Sequence, residues 1–427
     1  MLPKSPPTDM RAFLGLSSFE MMAMFRRGLF YAFLSVYLRH YLGLSVTETT
    51  LFATGPMVLN IVFQTFVWGK ISDKYQLRRT LIIVGEFLAA LGTLAVWYVH
   101  RLPSTPIVSG YVIIMGLSLV EIFWSMSNIG WSALISDVYP LKSRSRIQGR
   151  MASIGGIGRV AGVWTGALLY DGMGHKFAGW GFYEGSLFFV AAAMMMLSIL
   201  PLLFVPEGGV NPKEKADEKI EESGEHLKGV FVFFLAAMVL VNFGRNSIVV
   251  IQSQYLMLES GLAVTSSTLG YIVNTQSLAI IIFGMFTGAI ATRLGTGRAL
   301  LTGTIAAIAG LLLLSTLDLK LIYLSYFLRG FSEVIIMSTA YTVASTLIPP
   351  QRRARQFALY NATLFLSWGI AGTLITGPIV DFLIKTGQPQ WFAYQISFYT
   401  AAGITTIGFV LLAYLLLVIL PKRRIMI

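Results

Sequence analysis

The sequence predicts an all-α membrane protein of about twelve transmembrane helices, arranged as two halves of six. Hydrophobic residues make up 55% of the 427 residues and charged residues only 12%, roughly half the charged share of an ordinary globular domain. One or two soluble cores could not enclose so much apolar surface. Apolar stretches recur along the whole chain, and most reach the length of about 20 helical residues that crosses a hydrocarbon layer.

Turn-forming residues separate the apolar stretches and set the approximate bounds of the predicted helices. Glycine or proline occurs in the breaks at 43–47, 102–106, 349–350 and 387–389, and both residues disfavour helix interiors. The first apolar stretch is too long for a signal peptide, so helix 1 is expected to stay in the protein. Helices 1 to 12 are predicted at residues 13–42, 50–69, 80–99, 107–133, 149–170, 183–205, 229–257, 267–291, 298–317, 321–347, 357–384 and 394–420.

Lysine and arginine are distributed unevenly between the two sides of this arrangement. With a cytoplasmic N-terminus, the inner segments hold 22 of them and the outer segments hold five. Basic residues are enriched in cytoplasmic loops, so both termini are predicted to be cytoplasmic. The asymmetry explains the net charge of +12 without a nucleic-acid partner. The expected location is the cell membrane, crossed many times, with the lipid bilayer as the surrounding partner.

A hydrophilic connector at 206–228 divides the chain into halves 1–205 and 229–427. It carries seven acids against four lysines, a composition typical of a solvated, partly helical cytoplasmic linker. Helices 5 and 11 both end near an aspartate, Asp171 and Asp381. The loops that precede these helices share a proline and two arginines at equal spacing: Pro140, Arg144 and Arg146, and Pro349, Arg353 and Arg355. These similarities indicate that the halves are repeats.

The segment between helices 2 and 3 carries a recognisable motif, Gly69-Lys-Ile-Ser-Asp73-Lys74-Tyr-Gln76-Leu-Arg78-Arg79. It resembles the major facilitator superfamily pattern G-x-x-x-D-(R/K)-x-G-x-(R/K)-(R/K) at every defined position except Gln76, which replaces a glycine. The resemblance implies the twelve-helix fold of that superfamily, transport by alternating access, and a cytoplasmic latch at Asp73. Gly69 is expected to permit close helix approach, and the basic run is expected to meet the inner leaflet.

A weaker copy of the motif follows helix 8, from Gly288 to Arg298, with Thr292 where the acid would stand. The halves are therefore expected to be related without being equivalent. Transporters built from such parallel repeats bind substrate near the middle of the membrane, between the repeats. Nucleotide-binding loops, nucleophile elbows and metal-spaced histidines are missing from the sequence. No cofactor, metal or enzymatic activity is expected, and an ATP-driven pump is disfavoured.

Ionisable residues also lie inside the predicted helices. A charge facing lipid at the membrane centre costs about 3 kcal/mol, so nine would cost about 27 kcal/mol, more than the typical net stability of about 5–15 kcal/mol. They are expected to face the interior, water or one another. Seven lie on helices 1, 4, 7 and 10, which the resemblance identifies as cavity-lining. The nine are Glu20, Arg26, Arg27, Glu86, Glu121, Arg159, Arg245, Arg329 and Glu333.

Helical spacing groups most of these charges with polar neighbours into stripes that could line a cavity. Arg26 points away from the helix 1 stripe and is assigned to a structural ion pair. Arg329 and Glu333 lie one turn apart and can pair with each other; for them and for Glu86 an ion pair that holds the bundle is an equally open interpretation. The candidate lining residues are Glu20, Arg27, Tyr31, Glu121, Asn128, Arg159, Asn242, Arg245, Asn246, Arg329 and Glu333.

Two further patterns bear on packing and polarity. The glycines at 155, 158, 162 and 166 on helix 5 predict close packing against another helix. Helices 2, 8 and 11 could add polar lining through Asn60, Gln64, Asn274, Gln276 and Asn361, and Trp124 and Trp164 could line a cavity.

Function is predicted from the interior charges. Burial favours a neutral carboxyl group and a nearby cation favours the carboxylate, so Glu121 is the first proton-coupling candidate, followed by Glu20 and Glu333. Five interior arginines against four acids permit an anionic or zwitterionic solute, held by Arg27 or Arg245. The sequence therefore predicts a monomeric secondary transporter of a small organic solute, coupled to protons.

Other functions on the same fold stay open. Multidrug efflux of amphipathic compounds by proton antiport is the first alternative. The sequence differs from the drug/proton antiporter branch of the superfamily in two places. Helix 4 carries Glu121 rather than the branch's arginine, and helix 5 lacks its Gly-Pro signature. A lipid flippase or a non-transporting membrane sensor is the second alternative.

Overall fold

The computed structural model describes residues 8–139, 141–208, 228–348 and 353–422. Within these ranges each of the twelve predicted spans corresponds to a helical segment, and we number these segments α1 to α12. The first six are α1 Thr8–Val36 with a π-helical turn at Tyr37–Tyr41, α2 Val46–Phe63 continued by Gln64–Trp68 and Gly69–Tyr75, α3 Arg79–His100, α4 Pro106–Val138, α5 Leu141–Tyr170 and α6 Ser186–Leu202.

The remaining helices follow the connector, of which residues 209–227 lie outside the described ranges. They are α7 Lys228–Asn246 resumed at Ile251–Leu256, α8 Ser266–Leu294, α9 Thr296–Leu314, α10 Leu319–Leu347, α11 Arg353–Ala371 continued by Gly372–Thr376 and Gly377–Lys385, and α12 Gln390–Tyr414 continued by Leu415–Ile419 and Leu420–Lys422.

Nine helical stretches of the described chain are long and apolar enough to cross a membrane. The other three helices are α1, α5 and α6. α6 has only 17 residues, α1 carries three interior charges, and α5 is rich in glycine and begins with a basic run. The structure thus supports a multi-pass membrane protein, while twelve crossings and the side of the termini stay predictions.

The chain divides into two compact units. Unit 1 comprises Met1–Leu44 and Gly55–Ala216, and unit 2 comprises Ser45–Thr54 and Asp217–Ile427. The main boundary falls within the predicted connector, but the first turns of α2 group with unit 2. The change of unit within α2 falls next to Pro56, which lies inside the helix.

Each unit has an apolar core between its helices. In unit 1, buried side chains such as Leu16, Ile82 and Leu134 join α1, α3 and α4. In unit 2, the buried cluster joins α7, α9, α10 and α12, with Phe234 and Leu412 among its fully buried members.

The glycine series on α5 packs directly against α1. A Cβ atom added at three of these glycines would lie against main-chain carbonyl oxygens of α1, so side chains at these positions would push the helices apart. The geometry confirms the predicted close packing. The contacts join Gly158 to Met21, Gly162 to Phe25 and Gly166 to Leu29.

Candidate functional site

Two buried carboxylates lie in the interior of unit 1. Glu121 on α4 is 8% exposed and accepts a hydrogen bond from the Asn60 side-chain amide on α2. Glu86 on α3 is 3% exposed and accepts a 2.7 Å hydrogen bond from the Ser127 hydroxyl on α4. Neither carboxylate belongs to an ion pair within the part of the chain that the structure describes. Both charges are therefore held by neutral polar groups.

The two neighbouring arginines of α1 differ in their surroundings. Arg26 is buried, with its guanidinium carbon 3.9 Å from the centroid of the Trp124 ring on α4. Its Nε atom is buried with no hydrogen-bond partner among the described residues. Arg27 is exposed on another face, as is Tyr31 one turn later. The two arginines therefore point in different directions, as the helical spacing predicts.

Three other candidate lining residues of unit 1 lie on α1, α4 and α5. Glu20 is half-buried and packs against α5, where its Cγ would lie 3.2 Å from a Cβ added at Gly155. Arg159 is half-buried on α5, and its carbonyl faces Gly28 of α1. Asn128, also half-buried, lies one turn beyond Trp124 on α4.

In unit 2, α7 presents a buried arginine held by an asparagine. The Arg245 Nε atom donates a 3.1 Å hydrogen bond to the Asn242 side-chain carbonyl oxygen. Asn242 in turn donates to the Thr363 hydroxyl of α11 at 3.1 Å, and Asn246 donates to the Ser367 hydroxyl at 2.8 Å. These bonds fix one edge of the guanidinium. The Nη2 atom of Arg245 is buried without a hydrogen-bond partner among the described residues.

The two charges of α10 form hydrogen bonds to two different glutamines. Arg329 donates to the side-chain carbonyl of Gln252 on α7 and lies 5.1 Å from the Tyr326 ring centroid. Glu333 accepts a 2.9 Å hydrogen bond from the Gln276 side-chain amide on α8. The predicted Arg329–Glu333 pairing is not among these hydrogen bonds, because α7 and α8 bring a glutamine to each charge.

These contacts share one property across both units. Four interior charges each hydrogen bond to a side-chain amide, whereas the ion pairs of the described residues lie at helix ends. An amide can donate to a carboxylate or accept from an arginine or a carboxylic acid. It stabilises a charge without cancelling it. The four amide-bonded charges are Glu121, Arg245, Arg329 and Glu333.

The gate motif, Gly69–Arg79, lies on a helix for most of its length. After the π-helical turn, α2 runs from Gly69 through Tyr75 and ends at Gln76, whose φ is 56°. A Cβ at Gly69 would lie 2.7 Å from the Gln64 carbonyl in the same helix, so this glycine accommodates the π-helical turn. Lys74 is exposed. The side chain of Asp73 lies outside the described residues, and its latch role stays a prediction.

The two arginines of the motif are tied into unit 1. Arg78 is buried and pairs with Asp137 at the end of α4, with 3.1 Å between nitrogen and oxygen. Arg79 pairs with Glu207 at 3.2 Å. The prediction that the basic run meets the inner leaflet is therefore wrong for Arg78, because the α4 carboxylate draws it inward. Glu207 also accepts from the Thr80 amide at 2.9 Å, so the start of the connector caps α3.

A polar seam inside unit 2 joins the first turns of α2 to α11. The Asp381 carboxylate accepts hydrogen bonds from the backbone amides of Val46 at 2.9 Å and Thr47 at 2.8 Å. The Thr373 hydroxyl lies 2.7 Å from the hydroxyls of both Thr50 and Thr54. A carboxylate at a helix N-terminus satisfies free amides and complements the helix dipole. Asp381 is therefore a capping residue for α2.

Replacing Asp381 by alanine is expected to loosen the start of α2. Loss of a capping side chain costs about 0.5–2 kcal/mol, so amide hydrogen exchange at Val46 and Thr47 should accelerate about 2- to 30-fold. Asp171→Ala is the matched control, because that repeat counterpart accepts from Gly174 in its own loop at 2.9 Å. Hydrogen–deuterium exchange of both purified variants measures the difference. Equal exchange at the start of α2 in the two variants would contradict the capping role.

The sequence predicted the charged residues of the site better than it predicted their hydrogen-bond partners. Asp381 was visible as the repeat counterpart of Asp171, yet only the fold shows that one caps α2 and the other closes its own loop. One sequence signal marked the start of α2. Ser45 and Glu48 form a capping box, in which the Ser45 amide donates to the Glu48 carboxylate at 2.7 Å and the Glu48 amide donates to the Ser45 hydroxyl at 3.2 Å.

Comparisons with solved structures show how widely this architecture is shared. A mutant of the nucleoside transporter NupG superposes with a TM-score of 0.74 at 15% identity, covering 95% of this chain and 99% of that chain. A bacterial homologue of the human lysosomal transporter Spinster, inward-facing and unoccupied, gives 0.70 at 16%, covering 96% and 97%. The peptide transporter POT in complex with sulfate gives 0.68 at 15%, covering 99% and 100%. At these identities the likeness shows the fold.

Sequence comparison places the chain in a family. No curated protein sequence matches it. The family model described as the Major Facilitator Superfamily matches residues 16–371 and, in a second match, residues 233–425. Those ranges cover nearly the whole chain, and they include the gate motif and all four amide-bonded charges. The chain therefore belongs to the Major Facilitator Superfamily and is a membrane transporter rather than an enzyme.

Proposed function

We propose that this protein is a proton-coupled secondary transporter of a small organic solute that carries a negative group, either an anion or a zwitterion. The supporting observation is that interior charges in both units hydrogen bond to side-chain amides. A buried charge whose partner is neutral keeps most of its attraction for an incoming charge. Such charges are costly within a membrane and typically mark substrate or ion pathways.

Arg245 is the proposed residue for the negative group of the solute. Its Nε atom is occupied by Asn242, which leaves the buried Nη2 atom to donate to a ligand. Arginine is well suited to carboxylate and phosphate groups because its donors are fixed in one plane. Arg27, exposed on α1, is the second candidate for this role.

Glu121 is the proposed proton carrier. Asn60 can donate its amide hydrogen to the carboxylate, and after a flip of the amide its oxygen can accept from the carboxylic acid. The same partner therefore fits both protonation states. Glu20 and Glu333 stay the second and third candidates, and Glu333 has an equivalent glutamine partner.

The remaining parts of the proposal follow the predicted topology. The protein acts as a monomer with twelve crossings of the cell membrane and both termini in the cytoplasm. Residues 1–205 and 229–427 form the two halves, with 206–228 as the linker. Access alternates between the two sides, and the motif around Asp73 latches the cytoplasmic side.

A ligand-stabilisation screen of the purified protein tests the proposed substrate class. We expect carboxylate- or phosphate-bearing organic solutes to raise the melting temperature, since a ligand that binds only the folded state stabilises it. Hits would then be tested for proton-driven flux in proteoliposomes. Stabilisation confined to lipophilic cations or to neutral amphipathic compounds would overturn this assignment and favour efflux.

Replacing Arg245 by glutamine is expected to weaken binding of an anionic hit. A hydrogen bond to a charged group contributes about 1.5–3 kcal/mol, which corresponds to about a 10- to 150-fold rise in the dissociation constant. Arg27→Gln is the comparison, because it removes the same charge from the other candidate residue. Titration calorimetry with the same solute measures both variants. A large loss in the Arg27 variant alone would transfer the anion site to α1.

A further inference from the structure

The interior of unit 1 contains a cation that lacks an amide partner. Arg26 is buried, it belongs to no ion pair within the described residues, and its Nε atom has no hydrogen-bond partner there. Its guanidinium is held instead against the Trp124 ring, 3.9 Å from the centroid. A cation–π contact is most favourable when, as here, it is desolvated. The contact leaves the Nε donor of the guanidinium without a hydrogen-bond partner among the described residues.

The position of Trp124 on α4 places this cation between two carboxylates. Glu121, Trp124 and Ser127 form a row at three-residue spacing, with steps of about 4.5 Å along the axis of α4 and turns of about 60° around it. Glu121 is at one end of this row. Ser127 at the other end donates to Glu86. The Arg26 guanidinium, stacked on the middle residue, faces both carboxylates.

The charges around Glu121 do not balance in both of its protonation states. Glu121 is faced by Asn60 from α2, by Arg26, Arg27 and Tyr31 from α1, and by Glu86 from α3. While Glu121 is protonated, the buried Arg26 faces one anion, Glu86. Once Glu121 releases its proton to water, Arg26 faces two anions, and Glu121 faces both Arg26 and Arg27.

We propose that Arg26, held against Trp124, is the movable counter-ion of the proton site and shifts between Glu86 and Glu121 as Glu121 gains and loses its proton. The inference rests on the proposed role of Glu121 and adds Arg26, Trp124 and Glu86 to that site as positioning residues. It replaces the fixed structural ion pair that the sequence assigned to Arg26. Proton release from Glu121 is thereby coupled to a conformational change, because the side chain of Arg26 moves when the proton leaves.

Two signals from purified, full-length protein test the proposal without a transported solute. Infrared difference spectra between pH 5 and pH 9 record protonated carboxyl groups, and the band lost in Glu121→Gln belongs to Glu121. Tryptophan fluorescence over the same range contains a component from Trp124, identified by its loss in Trp124→Phe. We expect this component to change at least twofold, with the same midpoint as the Glu121 band, because Arg26 leaves the ring when Glu121 ionises.

Single substitutions distinguish the role of Arg26 from that of Arg27. Arg26→Gln and Glu121→Gln should each abolish the pH-dependent Trp124 component. Arg27→Gln removes the same charge one residue away, and it should keep that component even if the midpoint moves. Arg26→Lys keeps the charge, and therefore the fold, but not the planar stack, and it should lose at least half of the Trp124 amplitude.

The two proposals fail in different ways. If Glu121→Gln removes no titrating carboxyl band, the proposed proton carrier is wrong, and the inference falls with it. If that band titrates while the Trp124 component is independent of pH, Glu121 stands and the movable counter-ion is overturned. The movable counter-ion is also overturned if the Trp124 component survives unchanged in both Arg26 variants.

Discussion

Replacing Gly162 by alanine is expected to destabilise unit 1 by about 1–3 kcal/mol, the usual cost of overpacking a well-packed interior. A Cβ at this position would lie against the Phe25 carbonyl oxygen of α1. Neither backbone can yield without separating the helices, because Gly158 and Gly166 make equivalent contacts one turn away on either side. The apparent melting temperature of the purified protein should fall by about 2–12 °C, at about 2–4 °C per kcal/mol.

Gly403→Ala is the matched control for this experiment. Gly403 lies in α12, is exposed, and has no heavy atom within 4 Å of an added Cβ among the described residues. Alanine is the better helix former by about 1 kcal/mol, so this variant should be neutral or slightly stabilised. A melting temperature for Gly162→Ala equal to that of the control would mean that α1 and α5 do not pack at backbone distance.

Replacing Glu121 by glutamine is expected to abolish proton-driven transport while solute exchange continues. Glutamine has nearly the shape of a protonated glutamate and can keep the hydrogen bond to Asn60, but it cannot release a proton. A gradient of one pH unit can shift the solute ratio across the membrane about tenfold when one proton is coupled. In proteoliposomes the wild type should approach that ratio, and the variant should stop at equal concentrations.

Glu333→Gln provides the comparison for Glu121, since it makes the same change beside another amide in unit 2. This variant should keep proton-driven accumulation and show at most a changed affinity for the solute. If Glu121→Gln retains full accumulation and Glu333→Gln loses it, the proton carrier lies in unit 2. Solute counterflow in both variants verifies that each protein still binds and exchanges its solute.

Periodicity and composition predicted the helices well because each helix carries its own apolar pattern. The glycine series of α5 was equally informative, since four small residues at helical spacing have few other uses. The partners of the charges could not be predicted in this way. Whether Glu333 meets Arg329 on its own helix or Gln276 on α8 depends on the packing of neighbouring helices. A single sequence does not contain that geometry.

The gate motif shows both the value and the limit of a local pattern. The superfamily pattern has glycine where this chain has Gln76, and the structure gives that residue a φ of 56°. Glycine adopts this left-handed conformation at little cost, whereas most other residues are strained there. The Gln76 side chain accepts a 3.3 Å hydrogen bond from Arg78. The glycine of the pattern is therefore explained by the left-handed backbone conformation at this position. In this chain Gln76 adopts that conformation, and its side chain is bonded to Arg78.

The division of α2 between the two units has a mechanical consequence. Its first turns are bonded within unit 2 through Asp381 and Thr373, while the rest of the helix belongs to unit 1. Between these parts lie Gly55 and Pro56, and a proline inside a helix has no N–H to donate to the preceding turn. Bending is therefore easiest at this joint. We therefore expect α2 to bend at Gly55 and Pro56 whenever its two ends are displaced differently, because Asp381 holds the first end within unit 2.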